Sequence, residues 1–217
     1  MLMFDVRCPM FDVFFQHKVY KFKKMSKEKI LSAIRDNKPS TKTIIEVPGF
    51  DIPAIDLLEK FKKQTVDIGG KIIPIGNLAN LGAWIQKEFP DAKIIATPLP
   101  ALESINNQEI KSIKNYKDLK NVDVAIFKGQ IGVAENGAIW IDEKDMVQRV
   151  LPFITQDLIL VIDKKDIVWN MQEAYEKIKI DATGFGVFIA GPSKTADIEQ
   201  SLVIGAQAAR SCYVMIL

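Results

Sequence analysis

The stretch GVFIAGPSKTADIEQSLVIGAQ, residues 186–207, changes its hydrophobic period at a single glycine. Its apolar run, Val187 to Ala190, has the continuous character of a strand buried on both faces. The run stops at Gly191-Pro192, and Ser193, Lys194 and Thr195 follow, then Asp197, Glu199 and an amphipathic segment. The layout predicts strand, glycine turn, then a helix over 195–207. Such a turn has two physical uses. Ser193 or Thr195 can accept from the free N–H groups of the helix and cap it. Alternatively, those N–H groups, the helix dipole and Lys194 can hold a phosphate or carboxylate, with Gly191 allowing close approach. Asp197 and Glu199 favour the first use, because they sit where an anion would sit. In open α/β sheets ligands gather outside the carboxyl ends of strands. This turn follows a strand, so both readings stay open.

The same alternation runs through the rest of the chain. Helical spacing is predicted over 26–36 with Ser26 as N-cap, over 53–65 with Pro53 in its first turn, over 77–89 capped by Asn77, and over 167–178. Strands are predicted at TIIEV, GGKIIPIG, AKIIAT, VDVAIFKG, DLILVID, GVFIAG and SCYVMIL. IGVAENGAIWID, residues 131–142, predicts two short strands around a hairpin-like turn. Near-continuous Val/Ile/Leu strands between helices predict an α/β fold, a mostly parallel sheet covered by helices on both faces. The expected organisation is a single domain over residues 25–217. Residues 1–24 are expected to be an N-terminal extension, an over-called start or a dispensable tail, because Met25 opens a well-capped helix.

Composition narrows the chemistry. The 217 residues carry 29 basic and 27 acidic side chains, for a net charge of +2. A dedicated nucleic-acid binder should instead show a clustered basic face. Two cysteines, Cys8 and Cys212, cannot by themselves supply a four-cysteine zinc site or a ferredoxin-type cluster. No metal ligand set is predicted, and a reducing, cytoplasmic compartment fits the cysteine usage. The single histidine, His17, lies in the N-terminal stretch, which disfavours a Ser-His-Asp triad or paired-His metal site in the main domain. No window reaches the roughly 18 apolar residues of a membrane span.

Three further stretches are candidates for a site. In AENGA, Asn136-Gly137 is a strong turn pair, and Glu135 is either a solvated turn carboxylate or a nucleophile or base held at a bend. Gly76-Asn77 repeats the strand, turn and cap arrangement of the opening stretch. In VIGAQAARS, Gly205 ends or bends a helix, and Arg210 could reach back to a bound carboxylate.

Taken together, these pieces resemble the LUD-domain family, in particular its lactate utilisation protein C type. GPSKTADIEQSLVIGA is similar to that family's C-terminal signature, MSKEKILSAIRDN to its N-terminal helix, and GVAENGAIWI to the place where it has Ala-Glu-Thr-Gly-Thr and a strand. Gln207-Ala208-Ala209 stands where the family has His-Gly-Pro, and Asn136 and Ala138 stand where it has threonines around its glycine.

The resemblance implies a fold like the NagB/RpiA/CoA-transferase group. It also implies a role in oxidising L-lactate to pyruvate, beside partner proteins that carry the iron–sulfur clusters this chain lacks the cysteines to hold. On this reading a small anionic ligand sits at a strand-end cleft, met by Gly191, Ser193, Lys194, Thr195, Asn136, Gly137, Arg210, Gly76 and Asn77. Glu135-Asn136-Gly137 also resembles the turn around the catalytic glutamate of class I CoA-transferases. Two alternatives follow: a CoA-transferase-like or acyl-CoA-handling enzyme using Glu135, or a ligand-sensing module without turnover.

Overall fold

The computed structural model describes residues 26–38, 54–178, 184–194, 203–205 and 209–217 of a chain that divides into two units, Met1–Phe50 and Asp51–Leu217. The first unit contains α1, Lys27–Asp36. Ser26 caps it as the spacing predicts: the Lys29 N–H donates to Ser26 Oγ at 3.4 Å. The strand expected at TIIEV and residues 1–24 lie outside the described residues.

In the second unit the elements follow in order: α2 (Leu57–Asp67), β1 (Lys71–Ile72), α3 (Leu81–Glu88), β2 (Ile95–Ala96), β3 (Val124–Lys128), β4 (Ile131–Val133), β5 (Ile139–Asp142), α4 (Glu143–Met146), α5 (Leu151–Ile154), β6 (Asp157–Ile162), β7 (Ile167–Val168), α6 (Met171–Lys177), β8 (Gly186–Ile189) and β9 (Ser211–Ile216). Short 3-10 turns fill several connections, including Pro100–Ile105 and Lys164–Asp166. Five strands form an all-parallel sheet in the order β1-β9-β6-β3-β2. The expected architecture, a mostly parallel sheet flanked by helices, is present.

The structure adds a second sheet. β4 and β5 form the expected antiparallel hairpin, and they are joined by β7 and β8 into a mixed sheet of order β7-β4-β5-β8. Strand alternation shows how the layers stack. Ala125, Phe127, Leu158, Leu160, Ile162, Cys212 and Val214 share one buried core with Ile139, Ile141 and Ile167 of the mixed sheet and Phe61 of α2. Their neighbours Val124, Ile126, Ile159, Val161, Tyr213 and Met215 face the other way, against Leu81 and Ile85 of α3. The outer face of the mixed sheet, with Val133, Trp140 and Val168, packs on Ala174 of α6. The layers are therefore α3, parallel sheet, mixed sheet, α6. Both faces of the parallel strands are dry, which explains their near-continuous apolar sequences. Phe61 is fully buried in the central core, and burial of such a side chain stabilises by roughly 1.5–3 kcal/mol. Gly132 of β4 makes room for it: a methyl group there would lie 3.3 Å from the Phe61 ring.

Three expected elements differ. The helix expected from Pro53 starts at Leu57, because the Asp56 carboxylate takes the free N–H groups of Leu58 and Glu59 at 2.9 and 3.2 Å. The helix expected over 167–178 is shorter, because β-branched Ile167 and Val168 pair with β4 and Asn170 then caps α6. The helix expected over 195–207 does not include its described portion. Ile204 makes an antiparallel bridge to Lys194, and Gly205 N–H donates to Ser193 O at 3.0 Å. Residues 195–202 and 206–208 lie outside the described residues.

Candidate functional site

Gly191 follows β8 with φ +73, a left-handed conformation suited to glycine. A methyl group there would sit 2.7 Å from Ile68 O. Ile68 caps the C terminus of α2, where unpaired carbonyls carry the negative end of the helix dipole. The Lys194 ammonium donates to that same Ile68 carbonyl. Ser193 N–H donates to Ala209 O at 3.0 Å. Beneath the turn, Cys212 of β9 is buried, and desolvation pushes its thiol up to about 12. The signature turn is thus clamped onto the end of α2.

Its place relative to the strands is also decided here. β8 belongs to the mixed sheet and runs antiparallel to β5. Against the parallel sheet, the turn lies beside Gly69 and Cys212, at the amino ends of β1 and β9. The rule that ligands collect at carboxyl ends of parallel strands therefore does not favour this turn.

The Glu135 turn reaches the same helix end. Gly137 has φ +70, its N–H donates to Val133 O at 2.8 Å, and Asn136 Oδ1 accepts from Ala138 N–H at 3.0 Å. A methyl group on Gly137 would lie 3.0 Å from Ile68 Cδ1 and 3.1 Å from Thr65 N. The two glycine turns singled out in the sequence thus flank one residue, Ile68. Glu135 itself is exposed, and its Oε2 accepts from the Met171 N–H at 3.1 Å, at the start of α6.

The remaining candidates scatter. The Arg210 side chain packs under Gly205, where a methyl would come 2.5 Å from Arg210 Cγ. It lines a cleft of about 230 Å³ at the amino end of the parallel sheet, among Glu88, Asp91, Asp123 and Asp157. Gly76 and Asn77 lie at the other end of the sheet, beyond β1. There Asn77 Oδ1 accepts from Ala79 N–H at 2.9 Å, and a methyl on Gly76 would lie 3.9 Å from Ile216 O. Thr195 lies outside the described residues.

The structure adds a cleft that the sequence reading did not single out. It measures about 520 Å³ and opens at the carboxyl ends of β2, β3 and β6. Lys128 Nζ pairs with Asp163 Oδ2 across it at 2.8 Å, and that hydrogen bond holds the Lys128 ammonium above its ordinary range. The Gln130 amide donates to Asp145. Gly129 forms part of its lining, and a methyl there would come 2.2 Å from Ile139 Cγ2. The sequence signal was present: FKGQ and VIDKKD each place charged side chains directly after an apolar strand. Among the described residues, no group of three or more His, Cys, Asp or Glu side chains is placed to hold a metal ion, and no helix is long and apolar enough to cross a membrane.

Residues 18–217 match the LUD domain model. Lactate utilization protein C of Shouchella clausii (strain KSM-K16) is 27% identical over 167 residues, covering 73% of this chain and 69% of that protein. Its namesake in Geobacillus sp. (strain WCH70) is 25% identical over 198 residues, covering 85% and 76%. The namesake in Bacillus subtilis (strain 168) is 28% identical over 113 residues, and that match spans about half of either protein, 49% and 47%. A crystal structure of a DUF162 family protein from Deinococcus radiodurans superposes with a TM-score of 0.56 at 18% identity, covering 74% of this chain and 95% of that one. That likeness is one of fold.

Proposed function

This chain belongs to the LUD-domain family, of the lactate utilisation protein C type, and from that premise we propose that it takes part in the use of lactate as a cytoplasmic component without a cluster of its own. On this reading it works beside iron–sulfur proteins that carry electrons from L-lactate as pyruvate forms, and it holds a small anionic ligand. The observation that carries the reading is the family match over residues 18–217, together with relatives named for lactate utilisation. Low cysteine content supports the division of labour, since Cys8 and Cys212 are too few to ligate a cluster alone. Deleting the coding sequence is expected to abolish growth on L-lactate while leaving growth on pyruvate unchanged. A tagged chain is expected to co-purify with a cysteine-rich protein showing iron–sulfur absorption. Undiminished growth on lactate would overturn the reading.

A second reading, acyl transfer through Glu135, draws on one observation: the carboxylate is exposed at its turn. Against it stands the geometry, in which Glu135 Oε2 already accepts from the Met171 N–H at 3.1 Å. Incubation with acyl-CoA thioesters followed by hydroxylamine tests it. An adduct on Glu135 would support acyl transfer, and an unmodified residue would remove it.

A further inference from the structure

Two turns carry the chain out of the parallel sheet and into the mixed one, and they run side by side. The first is Lys128-Gly129-Gln130, between β3 and β4. The second is Asp163 with the 3-10 turn Lys164–Asp166, between β6 and β7. β3 and β6 are adjacent parallel strands, with Lys128 opposite Val161. β4 and β7 are adjacent and parallel too, with Gly132 opposite Ile167. The turns are therefore held together at both ends. Gly129 N–H donates to Val161 O at 2.7 Å, and the Lys128–Asp163 ion pair at 2.8 Å crosses between them. The 520 Å³ cleft opens over this pair of crossings, with Pro98, Leu99 and Pro100 beyond β2 as one wall. Its volume falls in the range of small-molecule sites, roughly 300–1,000 Å³, and its position is where open parallel sheets bind ligands.

The charges of the cleft select among ligands. Lys128, Lys144 and Lys165 line it together with Asp145, Asp163 and Asp166. A simple anion such as phosphate meets as much repulsion as attraction there, and so does a simple cation. A carboxylate that also carries a hydrogen-bond donor satisfies both signs at once. The Lys128–Asp163 pair offers a cation and an acceptor one hydrogen bond apart, the separation between a carboxylate and a group on its neighbouring carbon. Pro98, Leu99 and Pro100 offer an apolar surface to a third substituent. Gly129 keeps the crossing in place, because Ile139 leaves no room for a side chain.

We propose that this cleft binds a 2-substituted carboxylate with a hydroxyl donor, its carboxylate on Lys128, its 2-hydroxyl on Asp163 and its carbon substituent against Leu99. Preference for the hydroxyl over an ammonium at that carbon rests on the lactate reading above; the cleft and its three contacts do not. Three-point contact requires discrimination between enantiomers. Isothermal titration of the full chain with L-lactate, D-lactate, L-3-phenyllactate, L-alanine, propionate and inorganic phosphate tests the proposal. The expected result is binding of one enantiomer of lactate more tightly than the other, with propionate and phosphate weaker than the preferred enantiomer by about tenfold or more. Lys128→Met and Asp163→Asn are each expected to weaken that binding about ten- to hundredfold. Their circular dichroism should match wild type, and exposed Lys165→Gln supplies a milder variant that preserves the crossing. No binding of any 2-hydroxy acid, equal binding of propionate or phosphate, or binding unchanged in folded Lys128→Met would each overturn it. If deletion abolishes growth on lactate but the chain binds no 2-hydroxy acid, the cleft proposal falls and the functional reading stands. Cleft binding by a chain whose deletion leaves lactate growth intact does the reverse.

Discussion

Lys194 donates its ammonium hydrogen bond to the main-chain carbonyl of Ile68, at the C terminus of α2. A cation at that end of a helix stabilises by about 0.3–1 kcal/mol through the dipole and the unpaired carbonyl. Lys194→Met is therefore expected to lower unfolding free energy by about that amount. The difference from wild type should shrink in about 1 M salt, where the Debye length falls to about 3 Å. Urea denaturation at two salt concentrations measures both effects, and an unchanged midpoint would show that the contact contributes nothing.

Gly137 and Gly191 both abut Ile68 with positive φ. An alanine in that conformation costs about 1–2 kcal/mol before crowding is counted. Each single alanine variant is expected to lose more than about 1 kcal/mol. The double variant is expected to deviate from additivity, because both added methyls displace one residue. A double-mutant cycle by urea denaturation gives the coupling, and strict additivity would show that Ile68 does not link the turns.

Glu135 accepts from the first N–H of α6. Glu135→Gln keeps an oxygen for that bond but loses the charge, and Glu135→Ala loses both. We expect losses of a few tenths and about 0.5–1 kcal/mol respectively, read from thermal unfolding. Lactate growth should be restored by Glu135→Gln if the carboxylate is a helix cap. Failure of a stably folded Gln variant to restore growth would point to chemistry at this residue.

Cys212 lies buried under the signature turn with its thiol pushed up to about 12. In a Cys8→Ser background, iodoacetamide at pH 8 is expected to modify Cys212 only after unfolding. The thiol ionises in the unfolded chain first, so stability falls as pH rises from about 9 towards 12. Rapid labelling of the native chain at pH 8 would contradict the burial.

Phe61 fills the core between the two sheets, where a methyl group added to Gly132 would lie 3.3 Å from its ring. Phe61→Ala should cost about 3–5 kcal/mol, measured by chemical denaturation. A loss under about 1 kcal/mol would mean that the sheets close over the gap.

Local signals accounted for much of the molecule. Ser26 and Asn77 cap where the spacing predicted, because N-capping depends on a side chain and the next few N–H groups. DLILVID and SCYVMIL became adjacent central strands because dry faces demand unbroken apolar residues. AENGA formed its hairpin because Gly137 tolerates positive φ. Boundaries shifted for two reasons: a nearer cap, Asp56, displaced the start of α2, and elsewhere a partner distant in sequence intervened. Ile167 and Val168 read as the first turn of the helical pattern that continues to Ile178, and pairing with β4 makes them strand instead. The candidate site was legible in part: Gly137 and Gly191 stood out as turns, but nothing in their local sequence names Ile68 as the residue between them. Lys128 and Asp163 were readable only as charges after strands.

By itself, then, the sequence determined the fold class, the caps and the hairpin, which rest on periodicity and on contacts within a few residues, and it carried the residues of the family signature. Only the tertiary structure decided that β8 joins a second sheet, which moved the signature turn to the amino ends of β1 and β9 and left the carboxyl-end cleft to Lys128 and Asp163. The physical reason is that strand pairing is chosen among distant segments by shared burial, and the end of the sheet a loop occupies follows from that pairing rather than from the residues of the loop.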